Sequence, residues 1–214
     1  MHSFDFGHLG LFWHLLTRLG EAQIALPLGA GAAVVLWLRG SGRPLVMRWV
    51  IALTFAIGLT TASKIAFIGW GIGWSAIDFT GISGHTMFAT AIYPVIFFVF
   101  VSGQWRLGVR GALMLGYGLA FMIGVSRIAV GAHSPAEVVA GLLIGAGASA
   151  WAMSGSEFGF KWSWSWAPLL MSAWLGLAMF AMPPSQSHSL VTRLALKLSG
   201  HSVPYFRAPH YSEV

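Results

Sequence analysis

The sequence lacks cysteine altogether, and only 8% of its 214 residues are charged, six of them acidic. Without cysteine, the chain can form neither a disulfide nor a thiolate metal site. A water-facing surface needs roughly 25–35% charged residues, so this composition disfavours both a soluble single-domain enzyme and a disordered chain. Hydrophobic residues make up 57% of the chain and its mean hydropathy is +0.74. These values are typical of a polytopic membrane protein.

Six apolar stretches can cross a bilayer on a generous count, for which about 17 to 20 residues suffice. We therefore predict an all-α fold, a bundle of about six transmembrane helices. The predicted spans are 22–38, 45–69, 86–102, 110–125, 137–152 and 164–182.

The two ends of the chain differ from these spans. Residues 1–20 are apolar but interrupted by glycines, His14 and Arg18, which predicts an interfacial helix. Residues 188–198 place four apolar side chains on one helical face, which predicts an amphipathic helix resting on lipid headgroups. The predicted organisation is an N-terminal helix over 1–20, a membrane-embedded domain over 21–182 with its motif core at 45–152, and an amphipathic tail over 183–214.

Basic residues divide unequally between the two sides of the predicted bundle. Arg127 is the only lysine or arginine in the loops 70–85 and 126–136, so the positive-inside rule places these loops and both termini outside. The net charge of +6 then sets topology, and we predict no nucleic-acid partner. The small size and the absence of a eukaryotic sorting signal favour a bacterial inner membrane, with these loops facing the periplasm or exterior. The predicted cytoplasmic residues are Arg39, Arg43, Arg48, Arg106, Arg110 and Lys161.

Ionisable residues at membrane depth are costly, about 2.5–3.5 kcal/mol for a central Lys or Arg on insertion scales, so each asks for a functional reason. Two cations, two imidazoles and two carboxylates lie in or beside the two outward loops. Such a set at one end of a bundle predicts a site for an anion. Its members are Lys64, Asp78, His85, Arg127, His133 and Glu137.

The stretch Gly81-Ile82-Ser83-Gly84-His85 directly precedes the third predicted span. Free N–H groups at a helix start, preceded by flexible glycines, bind phosphate-like anions. The structural alternative is that Ser83 only caps the helix and that His85 is an interfacial residue.

The second outward loop carries Ser126-Arg127, then His133, then Glu137. Because His133 precedes a helix and Glu137 lies one turn into it, the carboxylate can accept a hydrogen bond from the imidazole. That bond would fix the tautomer and leave the other ring nitrogen as a nucleophile. Glu137 is explained equally well by a capping box with Ser134 as N-cap. Its two oxygens allow both roles.

These residues resemble the type 2 phosphatidic acid phosphatase (PAP2) superfamily, which also includes the vanadium haloperoxidases. The family carries the motifs Lys-x6-Arg-Pro, Pro-Ser-Gly-His and Ser-Arg-x5-His-x3-Asp. Ser83-Gly84-His85 matches the core of the second motif, and Ser126, Arg127 and His133 match the third at its full spacing. Glu137 stands where the family has Asp, and the resemblance covers roughly residues 45–152.

The first motif departs most from the family pattern. Lys64 has a suitable position, but Gly71-Ile72 replaces Arg-Pro, and no arginine occurs between Lys64 and Ser83. The second motif also has Ile82 in place of proline. Removing one donor from such a site costs about 2.7–4 kcal/mol, which implies a slower enzyme, a less demanding substrate or a replacement donor.

Trp70 and Trp74 in the first outward loop are candidates for the replacement donor, and Asp78 is a further polar residue of the same loop. The indole N–H groups of Trp70 and Trp74 could donate, although membrane-interface residues are the simpler interpretation. Asp78 could tune the charge of Lys64 or His85, or it could be an exposed loop carboxylate.

The resemblance implies a metal-independent lipid phosphatase without a cofactor. His133, oriented by Glu137, would attack phosphorus to form a phosphohistidine, and His85 would act as general acid and then as general base. The substrate would be a lipid phosphate that arrives from the membrane. The implied phosphate-binding residues are Lys64, Ser83, Gly84 and Arg127.

Two other functions stay open at the level of sequence. Gly81-Ile82-Ser83-Gly84 matches the nucleophile motif of a rhomboid-type intramembrane serine protease, with His133 as base. A non-catalytic lipid-phosphate binder or transporter would keep the anion site without turnover. Among lipid substrates, undecaprenyl diphosphate, phosphatidylglycerol phosphate, phosphatidic acid and a lipid A phosphate are all compatible with the motifs, and no oligomeric state is predicted.

Overall fold

The computed structural model describes residues 7–38, 42–101, 108–155, 173–178 and 187–207. In these residues the regular structure is helical, apart from one isolated bridge between Trp74 and Phe79. The helices are α1 (Gly7–Arg18), α2 (Ala22–Leu38), α3 (Arg43–Trp70), a short 3-10 turn (Ser75–Ile77), α4 (Gly84–Val101), α5 (Gly108–Ala129), α6 (Pro135–Met153) and α7 (Ser187–Ser199), with residues 173–178 also helical.

Three helices, α3, α5 and α6, are long and apolar enough to cross a membrane, which confirms the predicted spans 45–69, 110–125 and 137–152. Helices α1 and α2 meet at an angle of 44° and count as a fourth span if the bent pair is taken as one. Within the described residues, α2 and the apolar part of α4, which correspond to the predicted spans 22–38 and 86–102, are shorter than these three helices. The predicted span 164–182 lies outside the described residues except for 173–178.

Helix α4 forms the centre of the bundle and packs against α2, α3, α5 and α6. Its side chains on all sides are buried, including Met87, Ile92, Val95 and Phe98. A helix that is apolar all round belongs in the interior of a bundle. The first turn of α4, which carries the second motif, is thereby fixed against its neighbours.

Helix α6 packs closely on α4 at Gly141 and Gly145. A Cβ atom at Gly145 would lie 2.6 Å from the backbone oxygen of Met87, and one at Gly141 would lie 2.7 Å from that of Ser83. Only a residue without a side chain permits this approach. The glycines therefore bring the backbone of α6 directly against the start of α4.

The predicted amphipathic helix is confirmed as α7, which packs against α3. Ala195 is fully buried at this contact, while Leu190, Leu194 and Leu198 form an exposed apolar ridge. The contact of that ridge with headgroups stays a prediction. After α7, residues 200–207, here called the C-terminal segment, return toward the end of α3, where the backbone N–H of Tyr205 donates to Ile68 O at 3.0 Å.

Candidate active site

A cleft of about 1080 Å³ opens where α3 ends and α4 and α6 begin. Helix α7 and the C-terminal segment form one of its sides. The structure thus brings together residues that are far apart in the sequence. Of the seven predicted site residues, five line the cleft and two, Ser83 and Glu137, are buried behind it; the five are Lys64, Gly84, His85, Arg127 and His133.

His133 and Glu137 form the contact that the spacing predicts. His133 Nδ1 lies 2.6 Å from Glu137 Oε2. The imidazole is partly exposed to the cleft while the carboxylate is completely buried. With Nδ1 engaged by the carboxylate, Nε2 is the ring nitrogen left for chemistry in the cleft.

The capping box is also confirmed, and one carboxylate serves both purposes. Glu137 Oε2 accepts from the backbone N–H of Ser134 at 3.1 Å, and Ser134 Oγ accepts from the N–H of Glu137 at 3.4 Å. The N-cap thereby fixes the rotamer that carries the carboxylate to His133. Capping and orientation of the imidazole are coupled rather than competing.

The second oxygen of Glu137 is held by residues outside the motifs. Thr80 donates to Oε1 from its backbone N–H at 2.7 Å and from its hydroxyl, and Arg207 Nη2 lies 2.8 Å from the same oxygen. Arg207 Nε also pairs with Asp78 Oδ1 at 3.1 Å. The buried charge of Glu137 is therefore both hydrogen-bonded and paired, as a buried carboxylate requires.

Burial dominates the proton affinity of His133. Removal of the imidazole from water lowers the pKa of His133 below its ordinary value, although the hydrogen bond that His133 donates to Glu137 opposes this effect. The charges of Lys64 and Arg127 act in the same direction as burial. The environment therefore favours the neutral form of the imidazole, which is the nucleophilic form.

Arg127 and Lys64 supply positive charge to the cleft from two different helices. Arg127 Nη1 donates to Thr17 Oγ1 of α1 at 2.7 Å, and this bond orients the guanidinium. Lys64 lies on α3 beside the glycine loop, where its Nζ would be 3.6 Å from a Cβ atom at Gly84. No hydrogen bond or ion pair of Lys64 is found within the described part of the chain. A cation held there is available to an incoming anion.

The loop before α4 is fixed by its backbone. Ser63 Oγ accepts from the N–H of Ile82 at 3.1 Å, and the N–H of Ser83 donates to Glu137 O at 3.1 Å. Gly81 adopts φ 151°, a conformation that side-chain-bearing residues rarely take. The turn sets Gly81, Gly84 and His85 into the cleft wall.

Ser83 lies behind this wall. Its Oγ is 2.9 Å from Thr86 Oγ1, and the residue is fully buried. Neither His85 nor His133 is among the hydrogen-bond partners of Ser83 in the described residues. The Ser–His pair required by the serine-protease interpretation is therefore not formed, and of the predicted phosphate ligands Ser83 is the one that lies outside the cleft.

Sequence reasoning missed Arg207, Thr80 and Thr17. Arg207 lies in the C-terminal segment, and no motif spacing connects it to Glu137. Trp70 and Trp74, which were considered as replacement donors for the missing arginine, are exposed and do not line the cleft. The missing arginine of the first motif, which implied a replacement donor, was the available sequence signal for a further cation.

The similarity to known proteins covers most of the chain. The sequence profile of the PAP2 superfamily matches residues 6–161. A protein of Klebsiella pneumoniae, described as an uncharacterized 22.5 kDa protein in cps region, is 40% identical over 139 residues, which cover 64% of this chain and 66% of that relative. The match thus spans just under two thirds of the relative's length. No solved structure gives a significant match.

Proposed function

This chain belongs to the PAP2 superfamily, and we propose that it is a membrane phosphatase that hydrolyses a lipid phosphate or prenyl diphosphate through a phosphohistidine on His133. Membership of the family supports a phosphatase-like function, and the apolar helices support membrane association. The lipid substrate, the covalent intermediate and the roles of individual residues are the proposed part.

The observation that carries the proposal is the 2.6 Å contact between His133 Nδ1 and Glu137 Oε2 at the wall of a cationic cleft. This contact leaves Nε2 free for attack on phosphorus. Lys64 and Arg127 line the same cleft and would stabilise the negative charge that builds on the equatorial oxygens. Gly84 would add its backbone N–H at the start of α4.

In the first step, His133 Nε2 attacks phosphorus and a nitrogen–phosphorus bond forms. The bond between phosphorus and the leaving oxygen breaks, and protonated His85 donates its proton to that oxygen. The leaving group is the lipid alcohol of a monoester or the lipid monophosphate of a diphosphate. In either case, the proton from His85 prevents negative charge from building on the leaving oxygen.

In the second step, water attacks the phosphohistidine. His85, now neutral, accepts a proton from the water, the nitrogen–phosphorus bond breaks and inorganic phosphate leaves. His133 returns to its neutral form and His85 to its protonated form, so the cycle closes. The proposal assigns charge neutralisation to Lys64 and Arg127 and invokes no metal ion.

An amphiphilic substrate fits the lining of the cleft. Charged groups occupy its inner wall, whereas Ile57, Phe67, Phe88, Val191 and Phe206 contribute apolar side chains. A phosphate headgroup would meet the cations while the chains stay in the bilayer. We propose that the cleft faces the periplasm or exterior of a bacterial inner membrane, on the side opposite the basic loops.

The test is release of inorganic phosphate from a panel of lipid phosphates and prenyl diphosphates in detergent micelles containing EDTA. The purified parent should release phosphate, and His133→Ala and His85→Ala should each reduce release to background. His14→Ala is the matched control, because His14 is exposed on α1 and does not line the cleft. Lipid binding without release by the folded parent would favour a non-catalytic binder and overturn the proposal.

A further inference from the structure

Arg207 reaches the active site from the end of the described chain. Its Nη2 lies 2.8 Å from Glu137 Oε1, and its Nε lies 3.1 Å from Asp78 Oδ1. Among the described residues, Arg207 and His133 are the basic side chains in ion-pair contact with Glu137. One arginine therefore bridges the outward loop before α4 and the carboxylate at the start of α6.

The C-terminal segment is anchored before it reaches Arg207. His201 Nδ1 lies 2.8 Å from Gly69 O, and the N–H of Tyr205 donates to Ile68 O at 3.0 Å. The ring of Tyr205 also packs where a Cβ atom at Gly71 would stand, 2.9 Å away. Because Gly71 lacks that atom, the segment can lie against the end of α3. These contacts fix the backbone two residues before Arg207.

The charge of Glu137 needs this partner when His133 is a nucleophile. Glu137 is completely buried, and a buried carboxylate without an opposite charge is costly. A protonated His133 could supply the charge, but a protonated imidazole cannot attack phosphorus. Arg207 supplies the charge permanently and so permits an ionised Glu137 beside a neutral His133.

We propose that Arg207 is a positioning residue: by bridging Asp78 and Glu137 it fixes the carboxylate and balances its charge, so that Glu137 orients a neutral His133. This inference rests on the proposed function of His133 as nucleophile. It assigns a cationic role in the site to the C-terminal segment of a chain whose first motif lacks an arginine. Arg207 acts on the reaction through Glu137 rather than by contact with the reacting atoms.

Removing Arg207 should change the charge balance around His133. The carboxylate of Glu137 would then attract a proton to the imidazole more strongly, because no other side chain in ion-pair contact shares its charge. The remaining charged or titratable groups that act on this pair or line the same cleft are Lys64 on α3, Asp78 in the following loop, His85 on α4, Arg127 on α5, His188 and Arg193 on α7, and Glu21 before α2.

The first experiment compares phosphate release by the parent, Arg207→Ala, Arg207→Lys and Lys197→Ala. We expect Arg207→Ala to lower kcat by about 10- to 100-fold with little change in KM. The substitution should misplace the nucleophile without weakening substrate binding. Arg207→Lys should recover part of the loss. Lys197 carries the same charge on the exposed side of α7 and does not line the cleft, so Lys197→Ala should match the parent.

A double-mutant cycle with Asp78→Asn tests the bridge itself. Asp78→Asn should lower kcat in the parent and should lower it less in Arg207→Ala, because both changes release the same guanidinium. Fully additive losses would overturn the inference. Each variant is accepted only if its size-exclusion profile and thermal unfolding in detergent match those of the parent.

A second readout does not depend on turnover. The imidazole nitrogen resonances of His133, identified by their loss in His133→Ala, are titrated in the parent and in Arg207→Ala. The inference predicts a midpoint at higher pH in Arg207→Ala, which a purely structural role would not produce. Equal midpoints would overturn it. An inactive parent would refute the proposed function, while this titration would still decide the relation between Arg207 and the His133–Glu137 pair.

Discussion

Arg127 on α5 is held by Thr17 on α1, whose Oγ1 accepts a hydrogen bond from Nη1 at 2.7 Å. The two residues are 110 positions apart in the chain, and Thr17 is buried. The N-terminal helix is therefore part of the site's support, because it orients a cation that lines the cleft. The predicted interfacial position of this helix is compatible with that role.

Replacement of Thr17 tests this support. Thr17→Val keeps the shape of the side chain and removes the acceptor, so the guanidinium of Arg127 should lose its fixed orientation. We expect kcat/KM for phosphate release to fall about tenfold, in line with loss of a hydrogen bond to a charged group. Thr54→Val, at an exposed position on α3, should leave kcat/KM unchanged. Equal kcat/KM values for the two variants would show that Thr17 does not support the function of Arg127.

The two roles of Glu137 can be separated by mutation. Glu137→Gln keeps the volume but removes the charge, and it should lower kcat at least about 100-fold because the tautomer and orientation of His133 are lost. Ser134→Ala removes the side-chain half of the capping box and should cost about 1 kcal/mol of stability while keeping kcat close to that of the parent. The backbone N–H of Ser134 still donates to Glu137 Oε2 in this variant. A severe loss of kcat in Ser134→Ala would therefore contradict the separation of the two roles, because it would show that the Ser134 hydroxyl is needed to position the carboxylate.

The acid limb of the pH dependence follows from His133. The imidazole attacks only when neutral, and burial lowers the pKa of His133 below its ordinary value of about 6.5. Protonation of His133 should therefore lower kcat/KM only below pH 6.5, whereas loss of the proton from His85, the proposed general acid, sets the alkaline limb. The measurement is kcat/KM across the acid range, with the His133 resonances titrated in parallel. An acid limb above the ordinary histidine value would contradict the assignment.

How far the sequence predicts this site depends on the range of each contact. The pairing of His133 with Glu137 could be predicted because both lie within one helical turn and share a capping box. The pairing of Arg207 with Glu137 could not be predicted, because it depends on the packing of α7 against α3. No local sequence pattern indicates that packing. Asp78 illustrates the same limit: it was interpreted as a loop carboxylate or as a tuning charge, and in the fold it binds Arg207.

The fold follows the same rule. Apolar stretches predicted the helices α3, α5 and α6, because length and composition are local properties. The bend between α1 and α2 was not predicted, since it depends on where Gly20 meets α4. A Cβ atom at Gly20 would lie 2.8 Å from His85 Cβ. The break between α1 and α2 therefore packs directly against the first turn of α4.

The packing of α6 on α4 gives a test of stability on a single helix. Gly145→Ala would place Cβ 2.6 Å from Met87 O, and the resulting strain should cost about 1–3 kcal/mol. Gly147 has nothing within 4 Å of its ideal Cβ, so Gly147→Ala should be neutral or stabilising by up to about 1 kcal/mol. Thermal unfolding in the same detergent compares them. Equal effects of the two substitutions would argue against the observed interface.

The central claim is that phosphate leaves its lipid by transfer to His133. Rapid-quench mixing of the parent with a substrate labelled in its terminal phosphate, followed by peptide mapping, measures this transfer directly. We expect an acid-labile, base-stable phosphoryl group on the peptide that contains His133, formed before inorganic phosphate is released and absent in His133→Ala. Sustained phosphate release by His133→Ala, or a phosphoryl group on another residue, would contradict it.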